Sequence, residues 1–349
     1  MLCFNVILFF VQKITDLRSI IVVEFNKRFS KVVIVGGAGF VGREIIVQFQ
    51  PIADNIVVID NMRTGLRNKK ELELVELIEN DIRDLGGDWP RAFRGADLVI
   101  HLAANIDTPW SVKYMNDDFS LNALGTKNIV NACVAASVPK ILYASSAAVY
   151  GAVTEDKLPI TENIYPEPAS PYAKTKFQGE IEVLAGARTY GYTAHCLRMF
   201  NIYGPWESPV TLDEVLLYTL YVLKNQEISI FGEPSNQVRD YVSVSDIARA
   251  YVLAAQSEKQ GAFFYNIGSG KGTNFAELLS IIENVTGIIP QTKILPLRPG
   301  ELTKSWGIYE RAKEIIQYEH QVNIEEGVKQ MVDWIKNAPQ EVLNLYKLS

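Results

Sequence analysis

A chain of 349 residues, 48% of them hydrophobic, can bury a large core and is longer than one ordinary domain of about 100–150 residues. Its net charge is −6, with Lys and Arg scattered along the chain, which argues against a nucleic-acid partner. Three cysteines (Cys3, Cys133 and Cys196) without paired spacing, and only three histidines, argue against a disulfide framework or a metal site and for a reduced, cytoplasmic enzyme with no metal.

Leu2 to Val11 is apolar apart from Asn5, and a second apolar patch follows at Ile20 to Val23. Ten or so residues fall short of the roughly 20 that a bilayer-spanning helix needs. No basic stretch precedes the run and no clear small-residue cleavage site follows it. Residues 1–30 therefore read as an extension, packed or poorly ordered, without membrane contact.

From Lys31 the pattern alternates buried strand and helix, the mark of an α/β fold with a parallel sheet covered on both faces. The first strand, Lys31 to Val35, breaks into Gly36-Gly37-Ala38-Gly39-Phe40-Val41-Gly42 before a helix to about Gln50, closed by Pro51. Gly37, Gly39 and Gly42 fit G-x-G-x-x-G, and Gly36, Gly39 and Gly42 fit G-x-x-G-x-x-G equally well. Either way bare backbone N–H groups meet at a helix N-terminus, where a pyrophosphate belongs. A second strand, Ile56 to Asp60, ends in an acid 24 residues after Gly36, close to the offset of about 20 for a carboxylate on an adenosine ribose. That carboxylate would repel a 2′-phosphate, so NAD is favoured over NADP.

A polar loop, Asn61 to Lys70, leads to a strand over Val75–Glu79 and to Asn80-Asp81-Ile82-Arg83, placed where such a sheet meets an adenine ring. Asp97 to Ala104 reads as the fourth strand and its exit loop, with small alanines where backbone approaches cofactor. Next come a helix over about Asn116–Ser137, a strand over Lys140–Ser146, a helix over Tyr172–Tyr190 and a strand over Thr193–Asn201. Beyond Asn201 the rhythm loosens into a helix around Leu212–Lys224 and a short strand at Ile228–Phe231. The chain then returns through Val238–Ser243, a helix Ser245–Gln256 with Ser245 as N-cap, and a strand Phe263–Ile267. Helices near Asn274–Thr286, Tyr309–Gln317 and Glu325–Lys336 complete it. This predicts a Rossmann-type doubly wound parallel sheet over residues 31–200, rejoined by 238–267, and a smaller C-terminal α/β substrate domain from 201–237 and 268–349.

Ser145 and Ser146 end the fifth strand at the carboxyl edge, where ligands of such sheets bind. Tyr172 and Lys176 are four apart on a helix and share one face. A free tyrosine, with a pKa near 10, is a poor base at neutral pH, but an ammonium and a nicotinamide cation beside it stabilise the phenolate. Ser146 would hold a substrate hydroxyl while Tyr172 removes its proton. Strand-end serines and Tyr/Lys pairs are commonplace singly; their conjunction behind a dinucleotide fingerprint is what points to chemistry.

Taken together, the glycine turn, Asp60-Asn61, Asp81-Ile82, His101-Leu102-Ala103-Ala104, Asn122, Ser145-Ser146-Ala147-Ala148-Val149-Tyr150-Gly151 and Ser170-Pro171-Tyr172-Ala173-Lys174-Thr175-Lys176 resemble, in order, the extended short-chain dehydrogenase/reductases. Within these, the chain is most similar to the NAD-dependent nucleotide-sugar epimerase/dehydratase family, from about residue 31 to the end. The resemblance implies that Gly36, Gly39, Phe40, Val41, Gly42, Asp60, Asn61, Asp81, Ile82, Leu102, Ala103, Ala104, Asn122, Tyr172 and Lys176 hold NAD, with Ser146, Tyr172 and Lys176 catalytic. It implies a substrate site of Ser145, Ser146, Asn201 and Arg239, with Arg298 on the diphosphate, Glu301 on the ribose, and Ser229 and Phe231 on uracil. Ser305 would flank the sugar C2 substituent, its small side chain admitting N-acetylated sugars. Family dehydratases and decarboxylases carry a Glu three residues before the Tyr-Gly; Ala147 stands here and Ala148 follows. The chain thus resembles the 4-epimerases of UDP-hexoses, which pair as homodimers through the helices near Asn116–Ser137 and Tyr172–Tyr190. Another epimerase or reductase of the family, such as a UDP-glucuronate 4-epimerase, and a non-catalytic NAD-binding regulator remain open alternatives.

Overall fold

The computed structural model describes residues 27–64, 70–209, 212–298 and 302–346. The first 26 residues and Glu301 lie outside the described residues. Strands β1 (Phe29–Val35), β2 (Ala53–Asp60), β3 (Glu76–Glu79), β4 (Leu98–His101), β5 (Lys140–Ser146), β6 (Thr193–Met199) and β11 (Ala262–Ile267) form one sheet in the order β11-β6-β5-β4-β1-β2-β3. Every neighbouring pair in it is parallel. The strand order reverses between β1 and β4, and at that switch point the carboxyl ends of a doubly wound sheet part to leave a crevice.

Successive residues of each strand point to opposite faces, so the apolar runs feed two cores. Ile34, Val58, Ile100 and Leu142 pack under helices α1 (Phe40–Phe49) and α7 (Val244–Gln256). Val33, Val57, Val99 and Ile141 pack on the other face under α4 (Gly125–Ala135) and α5 (Pro171–Tyr190). Before α4 come α2 (Thr108–Lys113), α3 (Met115–Phe119) and a π-helical turn, Ser120–Leu124. The single long helix predicted over 116–137 is thus broken around Asn122, and π turns recur at functional sites.

A third core joins helices α6 (Glu214–Leu223), α8 (Phe275–Thr286) and α10 (Ile324–Asn337). Around it lie three small sheets: β7 (Asn201–Tyr203) with β10 (Tyr241–Ser243), β8 (Ile228–Phe231) with β13 (Thr292–Leu295), and β9 (Val238–Arg239) between β12 (Thr273–Asn274) and β14 (Lys304–Ser305).

Four expectations change in detail. Strand β6 ends at Met199 because Phe200 N–H turns to Ile267 O, and Asn201 opens a separate strand beside β10. Val238–Ser243 stays in the small sheets, and only α7 and β11 rejoin the large one. The N-cap of α7 is Ser243, whose Oγ accepts from Ser245 N–H; Ser245 lies inside the helix. Finally, α9 (Glu310–Ile316), assigned by sequence to the smaller part, buries Ala312 and Ile316 in the core under α1 and α7.

Candidate active site

The glycine turn sits in the crevice. Gly36 has φ +82°, and a Cβ there would lie 2.4 Å from Ala103 N and 2.6 Å from Ala103 Cα. Only glycine lets the exits of β1 and β4 touch. Gly42 approaches Gly37 as closely, a Cβ on it meeting Gly37 Cα at 2.6 Å, so helix α1 seats on the turn. A Cβ on Gly37 would meet Val58 Cγ1 at 2.9 Å, whereas one on Gly39 would meet only Gly36 O at 3.4 Å, so close approach constrains Gly36, Gly37 and Gly42 more than Gly39. Gly39 is the N-cap of α1 and supplies no side-chain cap, which leaves a positive helix end facing the crevice.

A cavity of about 670 Å³ opens above these residues. Its wall includes Gly36, Gly39, Phe40, Val41 and Gly42 from the turn, Asp60, Asn61 and Ile82 from the β2 and β3 exits, and Leu102, Ala103 and Ala104 from the β4 exit. Asp60 braces the turn: one carboxylate oxygen accepts from Ala38 N–H at 3.0 Å and the other from Met62 N–H at 2.8 Å. An extended dinucleotide matches this outline, with a helix N-terminus for its pyrophosphate and an acid at the end of β2 for its ribose.

Two predicted cofactor residues lie off the wall. Asp81 is engaged by Arg83 (2.7 and 2.9 Å) and by Asn61 Nδ2 (3.0 Å), and the Arg83 guanidinium holds its carboxyl well below the usual range. It braces Asn61, which does line the cavity. Asn122 is buried in the π turn, accepting from Asn105 N–H and donating to Asn105 O, Asp118 and Thr175. This brings its hydrogen bonds to the β4 exit and α5 rather than to the cavity.

Ser146, Tyr172 and Lys176 meet on the same wall. Helix α5 starts where Ser170 Oγ caps Ala173 N–H at 3.1 Å with Pro171 in the first turn, a strong start signal. Tyr172 and Lys176 therefore fall one turn apart. Burial, with the Asp118 charge, holds the Tyr172 phenol above the usual 10 against the opposing pull of the Ser146 hydroxyl. Lys176 is buried over the Tyr143 ring, Nζ 4.5 Å from its centroid, and desolvation brings its pKa down to about 8 against the opposing pull of nearby anionic groups including Asp118 and Glu180. Ser145 is on the wall as well. Strand alternation turns its hydroxyl inward, where it donates to Glu180 at 2.6 Å, so its side chain is committed to the protein.

Of the predicted substrate residues, Ser145, Ser146 and Asn201 line the cavity, and Ser229, Phe231, Arg239, Arg298 and Ser305 are off its wall. Arg239 donates to Val238 O and Thr303 O and is the strand partner of buried Ser305. Arg298 lies over Phe231, its guanidinium carbon 3.5 Å from the ring centroid, so the ring face predicted for a base is covered by a cation. Ser229 is exposed on β8. Among the described residues no group of three or more His, Cys, Asp or Glu is placed to hold a metal ion, and no helix is long and apolar enough to cross a membrane.

Residues 32–268 match the NAD dependent epimerase/dehydratase family. The chain belongs to that family. It is 29% identical to the UDP-glucose 4-epimerase of Mycolicibacterium smegmatis, over 89% of this chain and 100% of the relative. The crystal structure of Thermotoga maritima UDP-glucose 4-epimerase with UDP-glucose superposes with a TM-score of 0.82 at 30% identity, covering 88% of this chain and 98% of that one. The Thermus thermophilus UDP-glucose 4-epimerase complex with NAD gives 0.79 at 32% identity, covering 88% and 100%.

On this epimerase scaffold several wall residues were absent from the sequence reading: Trp206, Glu207, Asp213 and Glu214. Trp206 stacks on Arg43 of α1, 3.9 Å from ring centroid to guanidinium, tying the loop after β7 to the cofactor helix. Burial pushes the Glu207 and Asp213 carboxyls well above the usual range, helped by the Asp213 charge at Glu207 and by the Glu214 charge at Asp213. No local pattern marks these residues, because a loop brings them to the cavity. Asp118 did carry a signal: it stands four before Asn122 on the same helical face, and both bond Thr175.

Proposed function

We propose that the chain is an NAD-dependent 4-epimerase of UDP-hexoses that interconverts UDP-glucose and UDP-galactose through a transient 4-keto sugar. The observation that carries this reading is one cavity holding both the glycine turn with Asp60 and the Ser146–Tyr172–Lys176 cluster, with methyl groups at Ala147 and Ala148. Elimination needs a further acid or base beside the serine, and a methyl group cannot move a proton.

Ser146 orients the C4 hydroxyl and Tyr172 takes its proton. NAD, when bound on the glycine turn, supplies the hydride acceptor at C4 and the donor for its return to the opposite face. In the chain by itself the Tyr172 phenol keeps its proton; the positive charges of Lys176 and of the cofactor's ring are what bring it toward the phenolate. Rotation of the keto sugar between the two transfers inverts C4 with no net redox change. The larger sheet then serves as the cofactor domain and the small sheets with α6, α8 and α10 as the substrate domain. Asn201, Arg239 and Arg298 would receive the diphosphate, Arg298 leaving Phe231 as a base stacks on it. The small side chain at Ser305 is the ground for including the N-acetylated pair.

A homodimer belongs to this reading. Met115, Phe119, Leu124 and Ile181 are exposed at 59, 46, 46 and 43% on α3, the π turn and α5, an apolar face that a second copy would bury. Light scattering should return about twice the 39.1 kDa chain mass. The deciding experiment for function is direct: purified protein should carry NAD and interconvert UDP-glucose and UDP-galactose without added coenzyme. Bound NAD without turnover of either sugar would leave the fold and remove the reaction.

A further inference from the structure

Behind the reacting cluster lies an ion pair that the reaction scheme does not use. Glu180 stands one helical turn after Lys176, on the face of α5 that also carries Tyr172. Its side chain is 1% exposed and that of Arg198 is 3% exposed. Arg198 donates through Nη2 to Oε1 at 2.5 Å and through Nε to Oε2 at 3.0 Å, and Ser145 Oγ donates to Oε2 at 2.6 Å. Ser145 and Arg198 are register partners on β5 and β6, so one carboxylate is gripped by two adjacent strands. The guanidinium in turn lies between the rings of Tyr150 and Phe264, at 4.9 and 4.4 Å.

Removing two charges from water costs several kcal/mol per ion, and well-packed apolar side chains often serve stability as well as a buried pair does. Stability is therefore a poor reason for this arrangement. What an apolar pair would not supply is direction and charge. The grip is at Ser145, the residue before Ser146, and at Arg198, the residue before cavity-lining Met199. It is thus made at the cavity wall on β5 and one residue from it on β6.

We propose that Glu180 is a positioning residue: gripped by Ser145 and Arg198, it sets α5 against the ends of β5 and β6 and keeps the Lys176 ammonium charged beside the reacting centre. The groups facing Lys176 are Tyr143 on β5, whose hydroxyl donates to Lys176 O at 3.2 Å, His101 on β4, Cys196 on β6, Asp118 on α3, and Tyr172 and Glu180 on its own helix. Burial leaves His101 neutral, its pKa lowered to about 3, and holds the Cys196 thiol protonated. That leaves the Asp118 and Glu180 carboxylates as the charges that support the ammonium, the Arg198 guanidinium offsetting part of the latter. The sign follows: losing the Glu180 charge lowers the Lys176 pKa, so the ammonium loses its proton at lower pH.

The test uses NAD-loaded wild type, Glu180→Gln, and the double variant Glu180→Met with Arg198→Met, which replaces the pair by apolar side chains of similar length. The pKa of Lys176 is read by ¹³Cε NMR titration of labelled lysine, the resonance assigned by its loss in Lys176→Met; kcat and KM for UDP-glucose are measured across the same pH range, with Tm as the measure of folding. In Glu180→Gln a downward shift of about one unit is expected for one buried opposite charge removed a helical turn away. Starting from about 8, this cuts the charged fraction, and with it kcat, about twofold at pH 7 and about tenfold at pH 9, with KM little changed. The double variant, which removes the opposite charge of Arg198 as well, should shift the same way by less while retaining its fold. An unmoved Lys176 titration in either folded variant overturns the proposal, as does a fall in kcat that is equal at every pH. This inference rests on the epimerase reading in its kinetic arm alone: were wild type to leave UDP-glucose unchanged, that reading would fall and the NMR titration would still decide the role of Glu180.

Discussion

Replacing Gly36 by alanine tests the geometry of the cofactor crevice. The residue sits at φ +82°, and the new Cβ would meet Ala103 N at 2.4 Å, Ala103 Cα at 2.6 Å and Leu102 C at 2.9 Å. These are backbone atoms, and they are tethered: Leu102 N–H and Ala103 N–H both donate to Val35 O, at 2.8 and 2.9 Å. Left-handed backbone costs alanine about 1–2 kcal/mol, and overpacking against atoms that cannot yield adds about 1–3 kcal/mol, for a total of about 2–5 kcal/mol. Gly95 is the internal control, since it has φ +69° with nothing within 4 Å of a built Cβ; Gly95→Ala should cost only the backbone strain, about 1–2 kcal/mol. At ~2–4 °C per kcal/mol, calorimetry should find Tm lowered by about 5–15 °C for Gly36→Ala and by a few degrees for Gly95→Ala. NAD content, measured after denaturing release from the purified protein, should fall in the first variant and hold in the second. Equal Tm losses in the two, or full NAD content in Gly36→Ala, would refute the contact between the β1 and β4 exits as the origin of the glycine requirement.

Tyr172→Phe should keep NAD and lose activity by about 10²–10⁴-fold, the usual contribution of a positioned proton acceptor; a near-normal epimerisation rate would remove Tyr172 from that role. Asp60→Ala takes away the carboxylate that spans Ala38 N–H and Met62 N–H, so titration calorimetry should show weaker NAD binding and a smaller preference over NADP, and an unchanged preference would place the discrimination elsewhere. Ser305→Tyr should abolish turnover of UDP-N-acetylglucosamine while sparing UDP-glucose, because added volume penalises only the group that occupies it. Equal losses in kcat/KM for both substrates would show instead that the tyrosine disturbs the Arg239 strand pairing.

Much of the molecule was legible in the chain because local physics acts over short spacings. Four glycines after an apolar run, an acid at the end of the next strand, and Ser-Pro before Tyr172 specify a turn, a brace and a helix start within a dozen residues each. The strand and helix periods placed the large sheet, and Tyr172 and Lys176 needed only the helical repeat to share a face. Where the sequence left the glycines of the turn alike, or placed a cap at Ser245, the positive φ of Gly36 or one hydroxyl two residues away made the distinction. Neither has a signature in composition. Tertiary structure alone decided the rest. Ser145 and Ser146 read alike as strand-end serines, yet the pleat sends one hydroxyl to Glu180 and leaves the other at the cavity. Arg298 and Phe231 are 67 positions apart and stack because two small strands pair in parallel. Trp206, Glu207 and Asp213 reach the cavity through a loop whose path no periodicity encodes. Short-range spacing determines which side chains can share an element; only the packing of elements determines which of them face water, cofactor or each other, because that choice is made by burial summed over the whole chain.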